Sequence, residues 1–96
     1  MIKFKELFEK VEYQWVGGPD DYKSIEKIAK IIQSYDFYSN RKEGSDHRRA
    51  VQDNQMKAKK LKALGVIAWR GENDDEVIDS EAFKKADKKD IKKSHV

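Results

Sequence analysis

The sequence predicts an all-α domain: a short N-terminal helix laid across an antiparallel helical hairpin, about 19–37 against about 45–69, with a mobile, charged C-terminal tail. Three observations predict it. Tyr22, Ile25, Ile28, Ala29, Ile32 and Tyr35 form one apolar stripe at helical spacing, with Lys23, Glu26, Lys27, Lys30 and Gln33 pointing elsewhere. His47, Val51, Asn54, Ala58, Leu61, Gly65 and Ala68 repeat the spacing as a narrow seam of mostly small residues, which lets two helices approach closely. Residues 36–44 between them hold Ser39, Asn40 and Gly44 among charged residues, a suitable connection for such a hairpin.

Residues 2–11 place Phe4, Leu7, Phe8 and Val11 at helical spacing between lysines and glutamates, which predicts the short first helix. Gly17-Gly18-Pro19 then ends regular structure. Pro19 suits the first position of the next helix, and Asp20 and Asp21 suit its first turn, where carboxylates meet unpaired amides and the helix dipole. Ser45 or Asp46 can cap the second long helix.

A competing fold starts at Gly65. If this glycine terminates the helix in a left-handed conformation, Val66-Ile67-Ala68-Trp69 and Glu76-Val77-Ile78-Asp79 become strands of a β-hairpin at about 66–79. The alternative is therefore a small α+β, winged-helix-like domain. In either case residues 1–79 form one compact domain and residues 80–96, almost wholly charged after Phe83, form the tail.

At 96 residues, with 38% apolar and 41% charged, the core is thin and oligomerisation would help it. The chain has no cysteine, which excludes disulfides, thiolate metal sites and cysteine nucleophiles, and is compatible with a reducing, cytoplasmic location. Residues 1–6 have no signal-like apolar run, and no stretch approaches the roughly 20 apolar residues of a membrane span. The net charge is only +3, but residues 41–62 hold eight basic and three acidic residues while residues 71–96 hold six and eight. The positive field belongs to the middle of the chain and attracts phosphates of any kind.

No catalytic constellation stands out, so no enzyme and no cofactor are expected. His47 and His95 are too far apart in sequence to suggest a metal site, and the serines lack a glycine-framed elbow or a nearby histidine base. Residues 17–21 match neither the phosphate loop nor the dinucleotide fingerprint. Asp74, Asp75 and Glu76 lack calcium-loop spacing. Binding is better supported. Tyr13 and Trp15 flank a glycine-rich loop where rings can stack on a base, and Lys23, Lys27 and Lys30 sit on successive turns of the next helix. Arg48, Arg49, Lys57, Lys59, Lys60 and Lys62 read either as an electrostatic footprint or as the wet side of a helix. Arg70, at the end of an apolar run, can fork onto phosphate.

The order of Tyr13, the Gly-Pro loop, Tyr22-x-x-Ile25-x-x-x-Ala29-Lys30-Ile31-Ile32, a serine before the second helix, and Ala63-Leu64-Gly65-Val66-Ile67-Ala68-Trp69-Arg70-Gly71-Glu72 resembles the phage anti-CBASS cyclic-dinucleotide sponge family over residues 13–72. The resemblance implies a compact helical hairpin without enzymatic activity. It implies a homo-oligomer, a hexamer, that buries cyclic di- or trinucleotides between protomers in the infected cell's cytoplasm and so counters CBASS defence. Carried over by position, Tyr13 stacks on a base, Lys27 or Lys30 contacts phosphate, and Arg70 binds phosphate near the end of the second helix. The second helix is more basic than the family pattern, the loop is less proline-rich, and Trp69 precedes the arginine. Two other functions remain open: a small basic nucleic-acid-binding protein using the helix at 47–64 with 66–78 as a wing, and a protein inhibitor of a host nuclease or CRISPR effector.

Overall fold

Gly65 ends the second helix, and with that the predicted helical hairpin gives way to a sheet. The computed structural model describes residues 12–37, 45–72 and 76–95. Their order is β1 (Glu12–Gly17), α1 (Tyr22–Ser34), α2 (Ser45–Ala63), β2 (Val66–Arg70), β3 (Val77–Ile78), α3 (Ser80–Lys85), a 3₁₀ turn (Lys88–Asp90) and β4 (Ile91–His95). The strands form one antiparallel sheet in the order β3-β2-β1-β4. The domain is α+β, which corrects the all-α expectation. The predicted helix at residues 2–11 lies outside the described residues.

The switch at Gly65 has a local cause. Its φ is +91°, the left-handed region that glycine enters without a side-chain clash, and its N–H reaches the Lys62 carbonyl at 2.9 Å to close the last turn of α2. Val66–Arg70 then pairs with β1 instead of extending the helix to residue 69. The hairpin expected by the alternative reading is present, with Trp69 opposite Ile78 and Arg70 opposite Val77.

The sheet is centred on a pair of tryptophans. Trp15 and Trp69 lie opposite one another on β1 and β2, and both are withdrawn from solvent. Side chains alternate across a strand, so Tyr13 joins Trp15 on the face that meets α1 and α2. There Ile28, Ala29 and Ile32 of α1, Leu61 of α2 and Val66 complete the core. Burying each large aliphatic side chain contributes about 1.5–3 kcal/mol. A register shift between Val16 and Gly17 sets two β2 residues, Ile67 and Val66, against one step of β1. This bulge turns Val66 into the core and leaves Ile67 exposed.

The expected mobile tail is part of the sheet. Tyr13 pairs with Ser94, Trp15 with Lys92 and Val16 with Ile91. Short α3 packs against β1 and β2, its Phe83 ring 5.3 Å from the Arg70 guanidinium carbon. A lysine-rich edge strand of this kind discourages further strand pairing while keeping its own ladder.

On the other side, the seam prediction for α2 holds up to its true end. Asn54 and Leu61 are buried, and Val51 and Ala58 are half-buried. The side chain of His47 lies outside the described residues. Gly65 and Ala68 leave the seam because the helix has stopped.

Candidate nucleic-acid interface

Because Asn54 and Leu61 turn inwards, the opposite side of α2 must face water. Arg48, Arg49, Gln52, Gln55, Met56, Lys59, Lys60 and Lys62 are all exposed. From Arg48 to Ala63 the sequence carries six basic residues and one acidic one. That acid, Asp53, is already matched within the helix by Lys57 Nζ at 2.5 Å. Lys57 also donates to the Ser34 carbonyl at 2.6 Å, so it ties α2 to the end of α1. The remaining cations stand on the outside of a 19-residue helix. Lys60 and Lys62 in its last turn also complement the helix dipole.

The residues predicted to bind a ligand do not come together. Tyr13 is 7% exposed and belongs to the core face of β1. It borders a cavity of about 220 Å³ with Gln33, Tyr35, Phe37 and three carboxylates, Asp36, Glu72 and Glu76. Burial raises the Tyr13 pKa, the Glu72 charge raises it further, and a hydrogen bond with Gln33 works against them. A negative cavity disfavours a phosphate.

Lys27 and Lys30 lie elsewhere. Both are exposed on α1 and border a groove of about 390 Å³ with Lys23, Glu26, Ile31 and Ser34. Arg70 is on the opposite sheet face from Tyr13: it pairs with Gln14, donates from Nη1 to Gln14 Oε1 at 3.4 Å and lies over Phe83. The structure therefore brings Lys27 and Lys30 together and places Tyr13 and Arg70 in two other environments.

The glycine loop has also changed character. The α1 helix starts at Tyr22, with Asp21 rather than Pro19 at its boundary. Asp21 accepts from the Ser24 backbone N–H at 3.1 Å and from its hydroxyl at 2.8 Å, and these bonds lower its carboxyl pKa. Lys92 of β4 donates to the carbonyls of Gly17 and Gly18 and lies 3.0 Å from Asp20 Oδ1. The loop thus presents carbonyls to a cation of its own chain. An anion would meet the wrong end of those dipoles. Trp15, expected beside the loop as a stacking group, is fully buried in the core.

Sequence reasoning singled out the basic residues of α2 but not Gln52, Gln55 and Met56 between them. The signal was there in the spacing: Gln52 and Met56 lie opposite the Val51, Asn54, Ala58 and Leu61 seam, while Gln55 is exposed at its edge, where it borders a cavity with Val51, Asn54 and Ala58. Among the described residues no group of three or more metal-ligating side chains occurs, and no helix is long and apolar enough to cross a membrane.

The fold and this surface define a small α+β domain with a basic, solvent-facing helix. No family model, no curated protein and no solved structure matches the chain. The likeness to the sponge family rests on its sequence motifs, and the helical hairpin which that likeness implies is overturned by the four-stranded sheet.

Proposed function

We propose that this protein is a non-catalytic nucleic-acid-binding domain of the cytoplasm whose contact surface is the outer face of α2. One observation carries the reading: Arg48, Arg49, Lys59, Lys60 and Lys62 are exposed on one helix whose only acid between Arg48 and Ala63, Asp53, is matched by Lys57. Phosphate neutralisation by such a row releases counterions and supplies affinity that does not depend on sequence. A helix that ends at a left-handed glycine and runs straight into a β-hairpin fits the arrangement of a reading helix followed by a wing.

The test is fluorescence anisotropy of the full chain with labelled DNA over a series of salt concentrations. Binding should weaken linearly on a log–log plot, with a slope of about −0.9 per phosphate neutralised on duplex. Reversing Arg48 and Lys59 together to glutamate should abolish it while the circular dichroism spectrum stays unchanged. Tight, salt-insensitive binding of a cyclic dinucleotide, with no response to DNA, would instead favour messenger capture.

A further inference from the structure

We propose, building on the nucleic-acid reading above, that α2 is a reading helix for the major groove of duplex DNA, with Gln52 and Gln55 as its base-contacting residues. Arg48, Gln52, Gln55 and Lys59 follow one another at intervals of four, three and four residues, so they form a single stripe on the exposed side of the helix. The eleven residue steps from Arg48 to Lys59 span about 16 Å, close to five base-pair steps of about 3.4 Å. The helix itself, about 10–12 Å across, matches a major groove about 12 Å wide.

The stripe has the chemistry of base readout and its flanks have the chemistry of backbone contact. A glutamine amide offers a donor and an acceptor side by side, the pair presented by the adenine edge, and arginine does the same for guanine. Arg49 and Lys60 lie to one side of the stripe and Lys62 towards the other, placed for the two phosphate walls. Met56 is 60% exposed between them, an apolar group that water does not reward and that a thymine methyl would cover.

Single strands are poorly served by the same surface. Their recognition depends on exposed aromatic rings on which bases stack. Helix α2 has no Phe, Tyr or Trp. Among the described residues Tyr13, Trp15 and Trp69 are buried, Tyr35, Phe37 and Phe83 are half-buried, and exposed Tyr22 stands on α1 with its hydroxyl bonded to Glu26. Helices α1 and α2 cover the tryptophan face of the sheet, and the short α3 lies on the other beside Arg70. Duplex RNA has a deep, narrow major groove that a helix cannot enter.

Anisotropy titrations of the full chain at one salt concentration should compare a duplex DNA of about 20 base pairs, its single strand and the matching RNA duplex. Duplex DNA should bind at least roughly tenfold more tightly than either. A duplex selected from a random pool should lose roughly tenfold or more in affinity with the Gln52→Ala, Gln55→Ala double variant, approaching a scrambled duplex. Equal or tighter binding of the single strand or of RNA overturns the groove assignment and leaves nucleic-acid binding standing. A double variant that discriminates as well as the parent overturns the roles of the glutamines. Binding to none of the three overturns both readings.

Discussion

The side chain of Asn54 holds both backbone groups of Asp36: its Oδ1 accepts the Asp36 N–H at 2.9 Å and its Nδ2 donates to the Asp36 carbonyl at 2.5 Å. Asn54 is buried on α2, and Asp36 follows α1, so one amide fastens the inner face of the basic helix to the rest of the domain. Replacing it with alanine removes both bonds. Asn54→Ala should cost about 1–3 kcal/mol in urea unfolding with an unchanged m-value.

Gly17 and Gly65 make a sharper comparison. Both have positive φ, +82° and +91°. A Cβ on Gly17 would stand 2.5 Å from the Gly65 carbonyl oxygen, whereas a Cβ on Gly65 meets nothing nearer than 3.4 Å. Gly17→Ala should therefore lose about 2–4 kcal/mol, from left-handed strain plus a backbone collision. Gly65→Ala should lose about 1 kcal/mol from strain alone. Thermal melts of the two variants check the order, and equal losses would show that β1 does not run beside the end of α2.

Removing residues 91–96 distinguishes a strand from a tail. Without β4, the backbone of β1 beside Tyr13 and Trp15 loses its ladder on one side, at about 1–3 kcal/mol for each buried group left unpaired. The truncated chain should lose its cooperative thermal transition, because several such losses approach the whole stability of a small domain. An unchanged midpoint would mean that β4 contributes nothing.

Asp21 gives stability a definite pH dependence. Its hydrogen bonds to Ser24 lower the folded carboxyl pKa below its ordinary value. The unfolded chain therefore binds the proton first as pH falls. The charged cap's contribution is fully present above the unfolded carboxylate pKa and disappears as pH falls through the lower folded value. The stability gap between the parent and Asp21→Ala should be constant around neutrality and narrow below that range. A gap that widens in acid would contradict the capping geometry.

These contacts explain which features the sequence made visible. The α1 stripe is local and places its helix within a few residues of Tyr22–Ser34. The seam likewise identified Asn54 and Leu61 as inward-facing. For β1 the alternation of Tyr13 and Trp15 with Gln14 and Val16 is a strand signal, but the following Gly17-Gly18-Pro19 drew the segment towards a loop. For β4, Ile91-Lys92-Lys93-Ser94-His95 has little apolar pattern, because its order comes from a ladder with residues nearly eighty positions earlier. Such pairing is non-local. The site divides in the same way: exposed cations on α2 follow from helix spacing alone. Separation of Tyr13 from Arg70 depends on β1 and β2 being neighbours, whereupon strand alternation sends the two side chains to opposite faces.

The most direct test is an amide-resolved NMR titration of the full chain with duplex DNA at low salt. The largest shift changes should fall on Arg48, Gln52, Gln55 and Lys59, along one side of α2, and added salt should reverse them. Changes confined to Tyr13, Gln33 and Gly71 around the acidic cavity, with α2 silent, would contradict it.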